Sequence, residues 1–252
     1  MTPSSRVDHL VIAADTLAQG VQWCEAALGV TPGLGGEHPL MGTHNRLLPI
    51  GTPSYPRAYL EIIAINPAAP TPSRKRWFDL DDDLLREAVR RQPRLVHFVA
   101  STPDAQSALK ALEHLGIQRG PLLRAERATP KGLLSWRITV RDDGQRLFYG
   151  GLPTLIEWGS VHPVQAMTGA GLALQSVEVH HPRPADLAAA HVAIGLQGVT
   201  VLQGAPNLVA RSCHPRGLSH SNRRAPDRLA AAGLLPPLPL GEGVKTLWRP
   251  GR

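Results

Sequence analysis

Two histidines and two glutamates stand at matching places in this 252-residue chain. His9 lies in Val7-Asp8-His9-Leu10-Val11-Ile12 and His97 in Leu95-Val96-His97-Phe98-Val99-Ala100, both of which read as strands. Glu61 follows His9 by 52 residues in the β-branched run Tyr59-Leu60-Glu61-Ile62-Ile63-Ala64-Ile65, and Glu157 follows His97 by 60 in Thr154-Leu155-Ile156-Glu157-Trp158-Gly159. Strand side chains alternate between faces, so equivalent positions in duplicated units address equivalent faces of their sheets. If the units pair through a pseudo-two-fold, all four side chains converge. Two imidazoles and two carboxylates form a set suited to Zn, Ni, Fe or Mn, with room left for substrate oxygens. Its chemistry would be Lewis-acid polarisation of a carbonyl or enolate oxygen, with one carboxylate carrying a proton. The competing source of charge balance is arginine: Arg137 and Arg46 could pair with the glutamates and leave a metal-free pocket.

The elements that must position these residues repeat. After the first strand, Thr16 is placed as an N-cap, and Leu17, Val21, Cys24 and Leu28 form the apolar stripe of a helix that stops near Gly29. After the second, Thr102-Pro103-Asp104 opens a helix carrying Ala108, Leu112 and Leu115 and ending at Gly116. Between each helix and its Glu-bearing strand there is chain for two more strands, at 42–50 with its neighbours in the first unit, and at 132–140 and 146–149 in the second. Each unit is therefore βαβββ, and the fold class is α+β. A first module spans 5–66, a Pro-rich linker with a short helix at 84–91 spans 67–93, and a second module spans 94–163. A partial third βαββ unit at 170–211 has strands at 198–202 and 207–211, and Ser176 falls where the histidines stand in the other two. An irregular tail, 212–252, offers at most a short helix at 227–232.

The strands Asp8-His9-Leu10-Val11 and Leu60-Glu61-Ile62-Ile63 in this duplication resemble the vicinal oxygen chelate superfamily, and more closely its glyoxalase-like domain proteins. Gly35-Gly36-Glu37-His38-Pro39-Leu40-Met41-Gly42-Thr43-His44-Asn45 is similar to that group's GGxHxxxGTxN signature. Lys131-Gly132-Leu133-Leu134-Ser135-Trp136-Arg137, Leu152-Pro153-Thr154-Leu155-Ile156-Glu157-Trp158-Gly159 and His162-Pro163 resemble its later motifs. The resemblance implies the paired-module fold of the glyoxalase, bleomycin-resistance and dihydroxybiphenyl dioxygenase proteins. It also implies a divalent metal on His9, Glu61, His97 and Glu157, with Glu61, His38 and Glu157 as catalytic groups. An alternative it leaves open is a site centred on His9, His38 and Glu61. His38, Thr43, Asn45, Trp136 and Arg137 would contact substrate. The expected activity is that of an isomerase, lyase or dioxygenase acting on vicinal oxygens between the modules; a metal-free binding or sequestering protein is the alternative.

Other features have plainer readings. The net charge of +7 concentrates in the tail, which carries seven Lys and Arg against two acids. With no long basic run and no aromatic platform, nucleic acid is not an expected partner. A small-molecule substrate is, and a homodimer is left open. Two cysteines make no disulfide framework, no apolar run is long enough for a membrane span, and a cytoplasmic setting is expected. Cys24 reads as core, Gly35-Gly36 as a turn rather than a phosphate loop, and Trp136 and Trp158 as core or pocket wall. His180-His181 and the group Cys213, His214 and His220 fit no standard zinc spacing.

Overall fold

A computed structural model describes residues 3–129, 132–168, 171–213 and 227–230. The first module runs β1 (Ser5–Ala13), α1 (Leu17–Leu28), β2 (Gly33–His38), β3 (Thr43–Pro49) and β4 (Tyr59–Ile65). The second runs β5 (Arg94–Ser101), α3 (Ala105–Glu113), β6 (Leu122–Thr129), β7 (Gly132–Thr139) and β8 (Thr154–Trp158), with α2 (Asp83–Arg91) between the modules. Thr16 caps α1 as expected, accepting from the Gln19 amide, and Gly29 closes it in the left-handed region; Asp104 caps α3 by accepting from the Ser107 amide. The two modules share one sheet in the order β2-β3-β4-β1-β5-β8-β7-β6, joined by antiparallel β1 and β5 at its centre. Parallel pairs β1–β4 and β5–β8 flank that seam, which is the pseudo-two-fold the repeat required.

Two sequence expectations are corrected. The fourth strand of the second module is β6, not 146–149. Leu147–Gly150 is a tight turn with Phe148 and Tyr149 at positive φ, and Arg146 is tied to Asp79 and to the Val96 carbonyl. The helix at 227–232 is instead, over Asp227–Ala230, a strand paired with the third unit. So short a segment nucleates no helix alone, whereas an open strand edge supplies a ready template. The linker is also more than a spacer: its Trp77, Phe78 and Leu80, with Leu85 and Val89 of α2, pack into the concave face of the sheet against Val11, Ile63, Val99 and Ile156.

The opposite face of the sheet carries α1 and α3, and also the third unit: β9 (Ala173–His181), α4 (Pro184–Ala193), β10 (Leu196–Gln197), β11 (Val199–Gln203), β12 (Asn207–Cys213) and β13 (Asp227–Ala230). Leu10, Ile12, Leu60, Ile62 and Phe98 of the sheet form one core with Cys24, Leu112, Val177 and Leu187. Burial pushes the Cys24 thiol up to about 12, consistent with a packing role. Helix α1 approaches β4 so closely that a Cβ at buried Gly20 would overlap Ile62 Cγ2. Gly20→Ala should therefore destabilise the fold by about 1–2 kcal/mol although alanine is the better helix former, because overpacking outweighs propensity. A fall in the urea midpoint at unchanged m-value checks this; a rise would refute it. Among the described residues, no helix is long and apolar enough to cross a membrane.

Candidate functional site

The site grows from a bulge at the central seam. In the β1–β5 register, Val7 faces Ala100 and His9 faces Val99, so Asp8 is the extra residue. The bulge lets Asp8 and His9 serve the same concave face. The Asp8 carboxylate, 1% exposed, accepts from His9 Nδ1 at 2.7 Å, Trp158 Nε1 at 3.0 Å and His162 Nε2 at 3.1 Å. Burial alone would raise its pKa, but the hydrogen bonds and charges of His162 and His9 outweigh it and hold the carboxyl well below the usual range. With Nδ1 engaged as a donor, His9 turns Nε2 toward Glu61 Oε2, 3.6 Å away. The Tyr59 ring stacks on the imidazole at 4.5 Å and fixes its plane.

The remaining groups come from β2, β3 and β4. Asn45 accepts the Gly36 amide at 2.7 Å through Oδ1, which turns its Nδ2 toward Glu61 Oε1 at 2.6 Å and His38 Nε2 at 3.4 Å. As His38 Nε2 then faces a donor, its Nδ1 is the donor to Thr43 Oγ1 at 3.1 Å. Burial, partly offset by Glu61, lowers the His38 pKa to about 4, so the ring is neutral at physiological pH. Its Nε2 lies 3.9 Å from Glu61 Oε1. Two imidazole Nε2 atoms and one carboxylate thus converge, with Asn45 Nδ2 as a donor among them. As the side chains stand, no group of three or more His, Cys, Asp and Glu residues among those described is placed to hold a metal ion. Beside this cluster opens an apolar cavity of about 350 Å³, walled by Met41, Trp77, Leu123, Trp136 and Ile138.

The structure brings together His9, His38, Glu61, Thr43 and Asn45, and it places Trp136 on the cavity wall. It does not bring His97 or Glu157 to them. His97 shares the concave face, but its Nδ1 donates to the Gly150 carbonyl at 3.1 Å and its Nε2 accepts the Thr154 amide at 3.1 Å. Burial and the charges of Arg119 and Arg146 drive its pKa well down. The register explains Glu157. Glu61 pairs with Val11 on β1, and the equivalent partner of Val99 on β5 is Thr154. Glu157 lies three residues further on, an odd step that turns it to the helix face. There it binds Arg137 and accepts the Ala105 amide at the start of α3 at 3.1 Å. Arg137 is accordingly the salt-bridge partner of Glu157 on the face away from the cavity, not a substrate contact.

Sequence reasoning gave no role to Asp8, Tyr59 or Trp77. For Asp8 a signal existed, a carboxylate inside an apolar strand next to a histidine. His180 and His181 join no metal group; His181 Nδ1 instead caps the Arg183 amide at 3.0 Å. Lys131, His214 and His220 lie outside the described residues.

The family model of the glyoxalase-like domain matches residues 7–195 of this chain. The structure is similar to that of a hypothetical protein from Staphylococcus aureus, with a TM-score of 0.55 at 13% identity over 80% of this chain and 87% of that one. That likeness is one of fold. A Streptomyces coelicolor methylmalonyl-CoA epimerase in complex with 2-nitronate-propionyl-CoA matches at a TM-score of 0.39 and 18% identity, over 62% of this chain and 96% of that one. Among curated proteins, none matches the sequence.

Proposed function

This chain belongs to the glyoxalase-like domain family of the vicinal oxygen chelate superfamily, and on that premise we propose that it is a small-molecule enzyme. Its reaction centre is His9, His38 and Glu61, which hold a divalent ion beside the apolar cavity. One observation carries the proposal: the Nε2 atoms of His9 and His38 and the Glu61 carboxylate are turned on one another in a buried place, a donor set of the kind that binds a divalent cation. Tetrahedral ligands at 2.0–2.1 Å from an ion lie about 3.4 Å apart; here His9 Nε2 is 3.6 Å from Glu61 Oε2 and His38 Nε2 is 3.9 Å from Glu61 Oε1, so the side chains must move to share one ion. The donor types fit Zn, Ni, Fe or Mn.

When bound, the ion would polarise vicinal oxygens of the substrate. The chain's own part is orientation and proton handling. Asp8 and Tyr59 fix the His9 ring, Thr43 and Asn45 fix His38, and Glu61 is placed to hold or move a proton on substrate carbon or oxygen. Trp77 and Trp136 keep water from the cavity side. The reactions consistent with this centre are an isomerisation, a lyase step or a dioxygenation.

Chelator-treated protein titrated with Zn, Ni, Mn and Fe(II) should take up one ion per chain. No uptake, or equal uptake by His9→Ala, would overturn the proposal. A second reading, a metal-free binding protein on the same cavity, draws support from Asn45, whose amide already satisfies Glu61 Oε1 at 2.6 Å. It expects ligand binding to be the same with and without ions.

A further inference from the structure

Arg127 has no part in the centre described above, yet the fold makes a place for it. The curled sheet ends at β2 on one side and β6 on the other, and the two edges meet where Arg127 of β6 lies against Gly36 of β2. A Cβ at Gly36 would overlap Nη1 and Cζ of the guanidinium, so the missing side chain is the seat of the arginine. Nη1 is buried with no hydrogen-bond partner, and no ion pair among the described residues includes Arg127. Closed off against Gly36, Nη1 fixes the guanidinium in place, and the N–H groups open to a ligand are the others of this half-buried side chain. Arg127 borders both the apolar cavity and the pocket of His9, His38 and Glu61.

We propose that Arg127 anchors the carboxylate of an amphipathic monocarboxylic acid whose apolar chain fills the cavity against Leu40, Met41, Trp77, Leu123 and Trp136. A guanidinium presents two parallel N–H groups that match the two oxygens of a carboxylate. A single charge is favoured over a phosphate dianion because Glu37 and Glu126 stand on the same wall. Bound this way, the acid presents the carbons next to its carboxylate to the two imidazoles and Glu61. The inference rests on the preceding proposal for the cavity being the substrate's, and not on the ion.

The test uses the full chain after chelator treatment, titrated with octanoate, 1-octanol and octyl phosphate and followed by tryptophan fluorescence, since Trp77 and Trp136 line the cavity. Octanoate should bind roughly tenfold or more tightly than octanol, and more tightly than octyl phosphate. Arg127→Gln should erase the preference over octanol while leaving octanol affinity unchanged. Gly36→Ala, which displaces the guanidinium, should act in the same direction, and far-UV circular dichroism should show both variants folded. Equal binding of octanoate and octanol, no octanoate binding, tighter binding of octyl phosphate, or a preference that survives Arg127→Gln would each overturn the inference. Ion titration of the parent chain, set beside the octanoate titrations of parent and Arg127→Gln, separates the two proposals. A chain that takes no ion yet binds octanoate through Arg127 refutes the metal centre alone; one that takes an ion and ignores Arg127 refutes the anchor alone.

Discussion

Glu61→Gln is expected to weaken divalent-ion binding by at least about 100-fold while leaving the melting temperature within about 5 °C of the parent chain. The substitution keeps the shape of the side chain, and its amide oxygen can still accept from Asn45 Nδ2, so the packing around β4 has no reason to change. What it removes is the negative charge between two imidazoles. A neutral amide is a poor ligand for Zn or Ni, and with it gone only the two ring nitrogens remain. Isothermal titration with each ion, alongside thermal melts, reads both parts of the expectation. Unchanged affinity in this variant would move the centre elsewhere. A collapse of the fold would instead show that Glu61 is a structural charge.

The second large effect concerns Asp8. Asp8→Ala leaves two imidazole nitrogens and the Trp158 indole without their common acceptor in the middle of the sheet, and should cost about 3–5 kcal/mol at neutral pH. The pH dependence has a definite sign. The folded carboxyl titrates below its unfolded value of about 3.9. Its ionised form therefore contributes stability above that value, and the contribution is lost as pH falls through the folded pKa. The gap between the parent chain and Asp8→Asn, which keeps the volume but not the charge, should be largest at pH 7 and shrink below about pH 4. Urea unfolding at pH 7, 5 and 3 measures it, and a gap that stays constant would exclude the charge as its source. Because Asp8 also fixes His9 Nδ1 as the donor, the same variants should lose about 10–100-fold in ion affinity.

Much of this was legible along the chain. The repeated strand and helix pairs, their caps, and the residues His9, His38, Glu61, Thr43 and Asn45 follow from spacing together with the family resemblance. What escaped is set by contacts between strands. Glu157 looks equivalent to Glu61 when segments are compared by type, but hydrogen-bonded register makes Thr154 the equivalent, and three residues of offset reverse the face. Arg137 was assigned to the pocket for the same reason, and the salt bridge with Glu157 considered as an alternative is the one that forms. The bulges have the same character. Asp8 precedes His9 at one, and Val96 precedes His97 at its counterpart. That single difference gives one histidine an orienting carboxylate and leaves the other to backbone partners. Strand β6 carries little hydrophobic signal because its outward side chains are exposed, and the importance of Arg127 depends on an edge residue in the other module.

The docking of the third unit has a kinetic consequence. Ser5 and Arg6, at the start of the central strand, pair with Leu196 and Gln197, and the Ser5 amide and hydroxyl bond to the carbonyls of Gly195 and Ile194. The first described strand is thus completed by residues 196–197, just beyond the end of the family match at residue 195. Such a loop must close before its contacts stabilise anything, so refolding should be limited by topology rather than by local helix formation. On the ribosome, the His9 strand would emerge long before residue 197 and remain until then without this partner. Ser5 and Arg6 therefore gain this partner late, when the third unit docks behind the sheet.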